Sequence, residues 1–283
     1  MISSAFIIPC KYSKEVPILF NCLKSIRKHH PSDEIFVVDS NSDDKSYFNR
    51  AEQEFGAIVL DAKNNNYLTG AIWHVFNNYK RDFYYCFHDS VELLASLESL
   101  KDNNVSPLMY HKHWQWPKNP ETNDRVSEWS RKQIEEKTSF GFKDKDFYIL
   151  QGAMICCKKE VLCKLAECGF DKVLPSNKYQ EECTERLWGL ALGELGYNKE
   201  IKQNSILGLC RQGQGLGSKF ISSIADGGKT FVYDGITYYS THGGYHLGNT
   251  DKVNLDGIPF VVKRNKSQPG DRMIKYWCSA GRK

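Results

Sequence analysis

The chain reads as an α/β protein built on a mainly parallel sheet with helices on both faces, closed by a small antiparallel C-terminal addition. Over roughly the first ninety residues, short apolar runs alternate with amphipathic stretches of helical period. That alternation yields a parallel sheet with crossover helices. The apolar runs are also continuous rather than alternating, as strands covered on both faces are. With 283 residues, 41% of them hydrophobic, there is enough chain for one large domain or a core with an appendage.

The elements follow in order. Ala5 to Pro9 is a first buried strand. Val16, Leu19, Phe20, Leu23 and Ile26 recur at helical spacing, with Lys24 and Lys28 off that stripe. Glu34 to Asp39 (EIFVVD) is a second strand, ending in an acid and the polar turn SNSDD. A polar stretch with a helix leads to a third strand, Ala57 to Leu60. Ile72, Val75, Phe76 and Tyr79 mark the next helix, and Phe83 to Phe87 is a fourth strand running into His88-Asp89-Ser90.

Residues 111–146 are polar and aromatic-rich with no long periodic stretch, the signature of a functional or mobile segment. Phe147 to Cys157 (FYILQGAMICC) resumes the regular core, followed by the helix KKEVLCKLAE. A second helix carries Leu187, Trp188, Ala191 and Leu195. Beyond the glycine-rich RQGQGLGSK, FVYDGITYYS reads as a hairpin around Asp234-Gly235.

Composition excludes several classes. Lys and Arg total 38 against 34 for Asp and Glu, a net charge of +4, too small and too dispersed for a protein that binds nucleic acid by neutralising phosphates. No window reaches the ~18–20 consecutive apolar residues of a membrane span. The N-terminal apolar run is too short for a signal peptide, so the expected address is cytoplasmic. The ten cysteines contain no CxxC and mostly fall in apolar or helical runs, as small buried hydrophobes do. A reduced chain without structural zinc is expected.

Ligands on parallel sheets bind at the carboxyl ends of the strands, where Pro9-Cys10-Lys11-Tyr12, Asp39-Ser40-Asn41 and His88-Asp89-Ser90 fall. Asp39 could accept hydrogen bonds from a ribose or base, or simply close a turn. Asp89, at a strand exit, offers the single carboxylate that a cation shared with a diphosphate needs, or is a turn residue. PCKYSKE after the first strand lacks G-x-G-x-x-G, so neither a dinucleotide fingerprint nor a P-loop is present.

Glu181 and Glu182 stand ahead of CTERLWGLALGELGY, either as dipole-complementing acids or as a general base. Gly213, Gly215 and Gly217 between Arg211 and Lys219 could cradle phosphates or form a plain loop. His242 and His246 are possible metal ligands. Trp114, Trp116 and Trp129 could stack on a sugar ring or pack the long segment onto the core.

Taken in order, these pieces resemble a GT-A fold nucleotide-sugar glycosyltransferase, most like the family 2-type group. The blocks that carry the resemblance are FIIPCKYS, LFNCLKSIRKH, EIFVVDSNSDD, NYLTGA at 66–71, FYYCFHDS at the place of the metal motif, FYILQGAMICCKKEVL and EECTERLWGLALGELGY. Two departures stand out. His88 occupies the place of the first metal-motif acid, and the base motif is Glu-Glu instead of Glu-Asp.

The resemblance implies that Pro9, Cys10 and Tyr12 line a base pocket and Asp39 contacts uridine. It implies further that Asn66 and Gly70 approach the diphosphate-sugar, with His88 beside them. Asp89 then holds Mn²⁺ or Mg²⁺; His242, outside the part of the chain that the resemblance covers, stays a possible ligand on its residue type alone. Glu182 matches the base and Glu181 its neighbour; Trp114, Trp116 and Trp129 lie in a segment without a counterpart in the family, and their expected place on the acceptor side rests on ring stacking alone.

The implied reaction is an inverting, metal-dependent transfer from a nucleotide-diphosphate donor, a UDP-sugar, to a glycan or other hydroxyl acceptor. Residues 1–110 would form the donor half, 111–249 the acceptor half and 250–283 an extension. A sugar-nucleotide nucleotidyltransferase and a non-catalytic carbohydrate-binding homologue remain as alternatives.

Overall fold

The computed structural model describes residues 2–12, 18–93, 96–108, 110–112, 127–141 and 147–204, and four strands at 230–233, 236–239, 261–264 and 274–277. The first half runs β1 (Ser4–Cys10), α1 (Ile18–His29), β2 (Glu34–Asp39), α2 (Tyr47–Phe55), β3 (Ile58–Leu60), α3 (Tyr67–Asn78), β4 (Phe83–Cys86), β5 (Val91–Leu93) and β6 (Val105–Pro107). It continues through β7 (Tyr110–Lys112), α4 (Glu128–Lys137), β8 (Tyr148–Leu150), β9 (Ile155–Lys158), α5 (Lys159–Glu167), α6 (Lys178–Glu194) and α7 (Asn198–Asn204). The C-terminal strands are β10 (Thr230–Tyr233), β11 (Ile236–Tyr239), β12 (Val261–Arg264) and β13 (Ile274–Trp277).

The α/β class and the mainly parallel sheet are as the apolar runs predict. The main sheet has six strands in the order β3-β2-β1-β4-β9-β6. β3, β2, β1 and β4 are parallel neighbours, while β9 is antiparallel to both β4 and β6. All seven residues of β1 are buried, which explains a run of unbroken apolar character. The expected hairpin forms as β10 against β11, and β12 pairs with both β13 and β5, so the C-terminal addition is antiparallel.

Two departures from the sequence expectation have local causes. Phe147 to Cys157 is not one strand, because the chain turns at Gln151–Ala153 with Gly152 and Ala153 at φ 65° and 53°. The irregular 111–146 segment contains α4, capped by the Ser127 side chain accepting from the Ser130 N–H. Its apolar stripe is narrow, with Ser130, Gln133 and Ile134 buried, and that weak periodicity hides the helix.

α6 is the helix that brings the two halves of the chain together. Trp188 stacks on Trp73 of α3 at 5.9 Å between ring centroids, and its Nε1–H donates to Thr69 Oγ1 at 3.1 Å. A Cβ at Gly189 would lie 1.4 Å from the Tyr148 carbonyl oxygen, so only glycine lets α6 lie this close to β8. Cys10, Cys22, Cys86, Cys156, Cys157 and Cys183 are buried and form no disulfide. Burial pushes the Cys86, Cys156 and Cys157 thiols up, away from thiolate chemistry. No described helix is long and apolar enough to cross a membrane.

Candidate active site

A cavity of about 330 Å³ opens at the carboxyl ends of β1, β2 and β4. Pro9 and Lys11 line it from β1, Ser40 from β2, and His88 and Asp89 from the exit of β4. Parallel strands end together, so these residues, distant in sequence, share one edge of the sheet. The far wall comes from the segment entering α3 and from Ser176, just before α6.

The α3 entry is organised by Asn64. Its Oδ1 accepts from the Asn66 N–H at 2.9 Å and its Nδ2 donates to the Tyr67 carbonyl at 2.7 Å. Lys63 and Tyr67 flank it at positive φ, 46° and 54°. Gly70 packs against this loop, since a Cβ there would lie 2.4 Å from Asn64 Oδ1 and 2.5 Å from Asn66 Cβ. The Asn66 side chain is turned away, its Nδ2 donating to the Pro175 carbonyl at 2.8 Å. Asn66 therefore ties the α3 entry to the approach of α6.

α6 begins earlier than its apolar stripe suggests. Asn177 caps it by accepting from the Gln180 N–H at 3.0 Å, so both glutamates lie inside the helix rather than ahead of it. Glu181 is 4% exposed, with Oε1 4.0 Å from His88 Nε2 and Oε2 accepting from Lys178 Nζ at 2.6 Å. The Glu182 side chain is 60% exposed. Adjacent helical residues point about 100° apart, and here the inward one is Glu181. Burial alone would lower the Lys178 pKa, but its hydrogen bond to Glu181 and the charges of Glu181, Glu182 and Glu185 outweigh that and raise it.

β9 is antiparallel to β4, with Ile155 opposite Cys86, so the Gln151–Ala153 turn falls beside the β4 exit. There the His88 Nε2–H donates to the Gly152 carbonyl at 3.1 Å. The carbonyl can only accept, so Nε2 carries the proton. Asp89, 4% exposed, offers hard oxygen at the cavity. That donor fits a Mg²⁺ or Mn²⁺ shared with phosphates, which needs only one or two protein carboxylates. His88 could contribute only Nδ1.

The other expected residues distribute as follows. Pro9 lines the cavity. Cys10 is fully buried, and its carbonyl accepts from the Ser40 N–H at 2.7 Å. The Tyr12 ring stacks on Tyr47 at 4.7 Å. Asp39 is 0% exposed, accepting from Tyr47 OH at 2.8 Å, from the Ser42 N–H and from Lys45 Nζ. Burial raises its pKa, and these hydrogen bonds outweigh the burial and hold it below the usual carboxylate range. Trp129 is partly buried against the core, as packing requires. Trp114, Trp116, His242, His246 and the glycine-rich 211–219 segment lie outside the described residues.

Sequence reasoning missed Asn64, Ser176 and Glu185. The run Asn64-Asn65-Asn66 was a usable signal, since asparagine favours turns and the left-handed region. Glu185 carried no such signal. Its Oε1 accepts from the Gly152 N–H at 2.7 Å, a contact that exists only once α6 packs on the β8–β9 turn.

Among the described residues, three potential metal ligands cluster only at His30, Asp33 and Glu98, at the opposite end of the sheet. His30 Nε2 accepts from the Leu97 N–H at 2.9 Å, so Nδ1 holds the proton and donates to Asp33 Oδ2 at 2.7 Å. Lys101 neutralises both acids, 2.8 Å from Glu98 and 3.5 Å from Asp33. Neither ring nitrogen offers a free lone pair, so this cluster is a structural network.

No protein-family model matches the chain, and no curated protein matches it. Solved structures that resemble it include GalNAc-T7 with UDP, GalNAc and Mn²⁺, at 12% identity over 66% of this chain and 40% of that one, TM-score 0.43. TarS from S. aureus shares 12% identity over 67% of this chain and 33% of its own, TM-score 0.39. A CMP:2-keto-3-deoxy-manno-octonic acid synthetase complexed with CTP shares 16% identity over 69% and 86%, TM-score 0.38. The chain thus spans less than half the length of GalNAc-T7 and of TarS. With each TM-score at 0.43 or below, functional assignment rests on the chain's own cleft.

Proposed function

We propose that the chain is a GT-A-type glycosyltransferase, closest in its motifs to the family 2-type group. It moves a sugar from a nucleotide-diphosphate donor, a UDP-sugar, to a hydroxyl of a glycan or similar acceptor, with inversion. The observation that carries this reading is the cavity at the carboxyl ends of the strands, lined by His88 and Asp89 at the β4 exit, with the buried Glu181 of α6 4.0 Å from the His88 ring.

In this reading the diphosphate lies over the strand ends, with Lys11 as a local cation, and the nucleoside lies along β1 and β2. The acceptor oxygen attacks the anomeric carbon while the bond to the diphosphate breaks, and the acceptor proton passes to Glu181. The geometry thus favours Glu181, and leaves Glu182 on the solvent side. Asp89 would hold a divalent cation, which when bound neutralises charge on the leaving diphosphate. Lys178, bonded to Glu181, holds the carboxylate in place.

A thermal-shift panel of nucleotide sugars, with and without Mn²⁺, tests the reading. A cognate donor at 100-fold above its Kd adds about 2.7 kcal/mol of stability. Product analysis then separates the alternatives: transfer releases a nucleoside diphosphate, nucleotidyl transfer exchanges pyrophosphate, and a binding protein consumes nothing. Absence of any nucleotide-sugar response rejects the proposal.

A further inference from the structure

The turn at Gln151–Ala153 is held in an unfavourable shape. Gly152 and Ala153 are both left-handed, and Ala153 at φ 53° is not a residue that adopts this region readily. A conformation of this kind persists where surrounding contacts impose it. The contact on the α6 side is Glu185, whose Oε1 accepts from the Gly152 N–H at 2.7 Å. The contact on the β4 side is His88, whose Nε2–H donates to the carbonyl of the same residue at 3.1 Å. The two polar groups of one peptide residue are thus claimed by two side chains 97 positions apart, 88 and 185.

The space around Gly152 is equally restrictive. A Cβ there would lie 3.1 Å from His88 Nε2 and 2.8 Å from Met154 Cε, so the imidazole rests directly on the glycine. The ring lines the cavity beside Asp89, and its Nε2 is 4.0 Å from Glu181 Oε1. Small changes at Gly152 therefore move a ring that borders both the diphosphate side and the base side of the cleft.

We propose that Glu185 is a positioning residue, which through the backbone of Gly152 fixes the orientation and tautomer of His88 in the cleft. The carboxylate anchors the N–H, the anchored turn aims its carbonyl at His88, and the carbonyl holds the proton on Nε2. In that tautomer Nδ1 is the ring's acceptor. Charge-assisted hydrogen bonds to backbone N–H groups are the stronger kind, and orienting a histidine through its second nitrogen is an effective way to set its chemistry. The role rests on the glycosyltransferase reading only for its consequence in catalysis.

The test is nitrogen-15 NMR of the histidine side chains at pH 8.5, assigned with His88→Gln. In the wild type, His88 is expected as the Nε2–H tautomer. Glu185→Ala should shift it toward a mixture of tautomers, and Glu185→Gln, whose side-chain carbonyl still accepts from the Gly152 N–H, should restore it. With the cognate donor, Glu185→Ala should lower kcat about tenfold or more while leaving donor KM within a factor of about two, and Glu185→Gln should recover most of it. An unchanged His88 signal in a folded Glu185→Ala overturns the proposal. So does a failure of Glu185→Gln to rescue. Should Glu185→Ala not fold, Gly152→Ala is read instead, and an unaltered His88 spectrum there also overturns it. A tautomer shift in a protein that consumes no nucleotide sugar leaves the positioning role standing and rejects the glycosyltransferase reading.

Discussion

His88 Nε2 lies 4.0 Å from Glu181 Oε1, so the exit of β4 meets the first turn of α6 beside the cavity that His88 lines. The pair spans 93 residues of chain and brings the strand-end motif to the only glutamate of the Glu181-Glu182 doublet that is buried.

Glu181→Gln keeps the size of the side chain and its hydrogen bond from Lys178 but cannot take a proton. Transfer should fall by ~10²–10⁴-fold, the usual contribution of a positioned acid–base group, with donor affinity nearly intact. Glu182→Gln, on the solvent side, should leave the rate close to wild type. Initial rates of nucleoside diphosphate release check both, and a dead Glu182→Gln beside an active Glu181→Gln reverses the assignment.

Asp89→Asn removes the buried carboxylate at the cavity while keeping its shape. Mn²⁺-dependent stabilisation by the cognate nucleotide sugar should disappear, and the melting temperature without ligand should change little. Calorimetric titration with and without Mn²⁺ measures this. Retained metal dependence would move the cation elsewhere, with His242 the next residue to replace.

Gly70→Ala places a methyl against Asn64, whose Oδ1 and Nδ2 organise the α3 entry. The loop must shift to admit it, at a cost of about 1–3 kcal/mol. Donor affinity should weaken along with stability, because the displaced residues line the cavity. Denaturant melts paired with donor titrations report both, and a stable variant with full donor affinity would contradict the packing described.

Asp33→Asn tests the network at the other end of the sheet. Burial raises the Asp33 pKa, while hydrogen bonds from His30 and Ser4 and the charge of Lys101 outweigh it and hold the carboxyl at about 2, against 3.8 unperturbed. A depressed carboxyl stabilises the fold above its unfolded value and loses that contribution as pH falls toward its folded one. The stability gap between wild type and Asp33→Asn should therefore be full at pH 6–7 and narrow as pH falls from about 3.8 to about 2. Urea melts at a series of pH values measure it, and a gap that widens on acidification would be incompatible with this network. Catalysis should be unaffected, since the cluster lies away from the cleft.

Much of the frame was legible because its signals are local. EIFVVD is β2 to the residue, and FIIP and FYYC fall inside β1 and β4. Because parallel strands end together, their order also located Pro9, His88 and Asp89 at one edge. The helix α4 and the break at Gly152 were not legible, for one has little apolar periodicity and the other sits inside an apolar run.

The sequence by itself determined the α/β class, the run of parallel strands and the edge of the sheet where the cavity opens, since those depend on periodicity within a dozen residues. Only the tertiary structure decided that Glu181 rather than Glu182 turns inward, that Asn66 reaches the Pro175 carbonyl, and that Glu185 and His88 meet at Gly152. Each depends on where a capped helix begins and how closely α6 packs on β8. Hydrogen bonds between residues 64 or 109 positions apart leave no periodic trace in the chain, because packing rather than local preference brings their partners together.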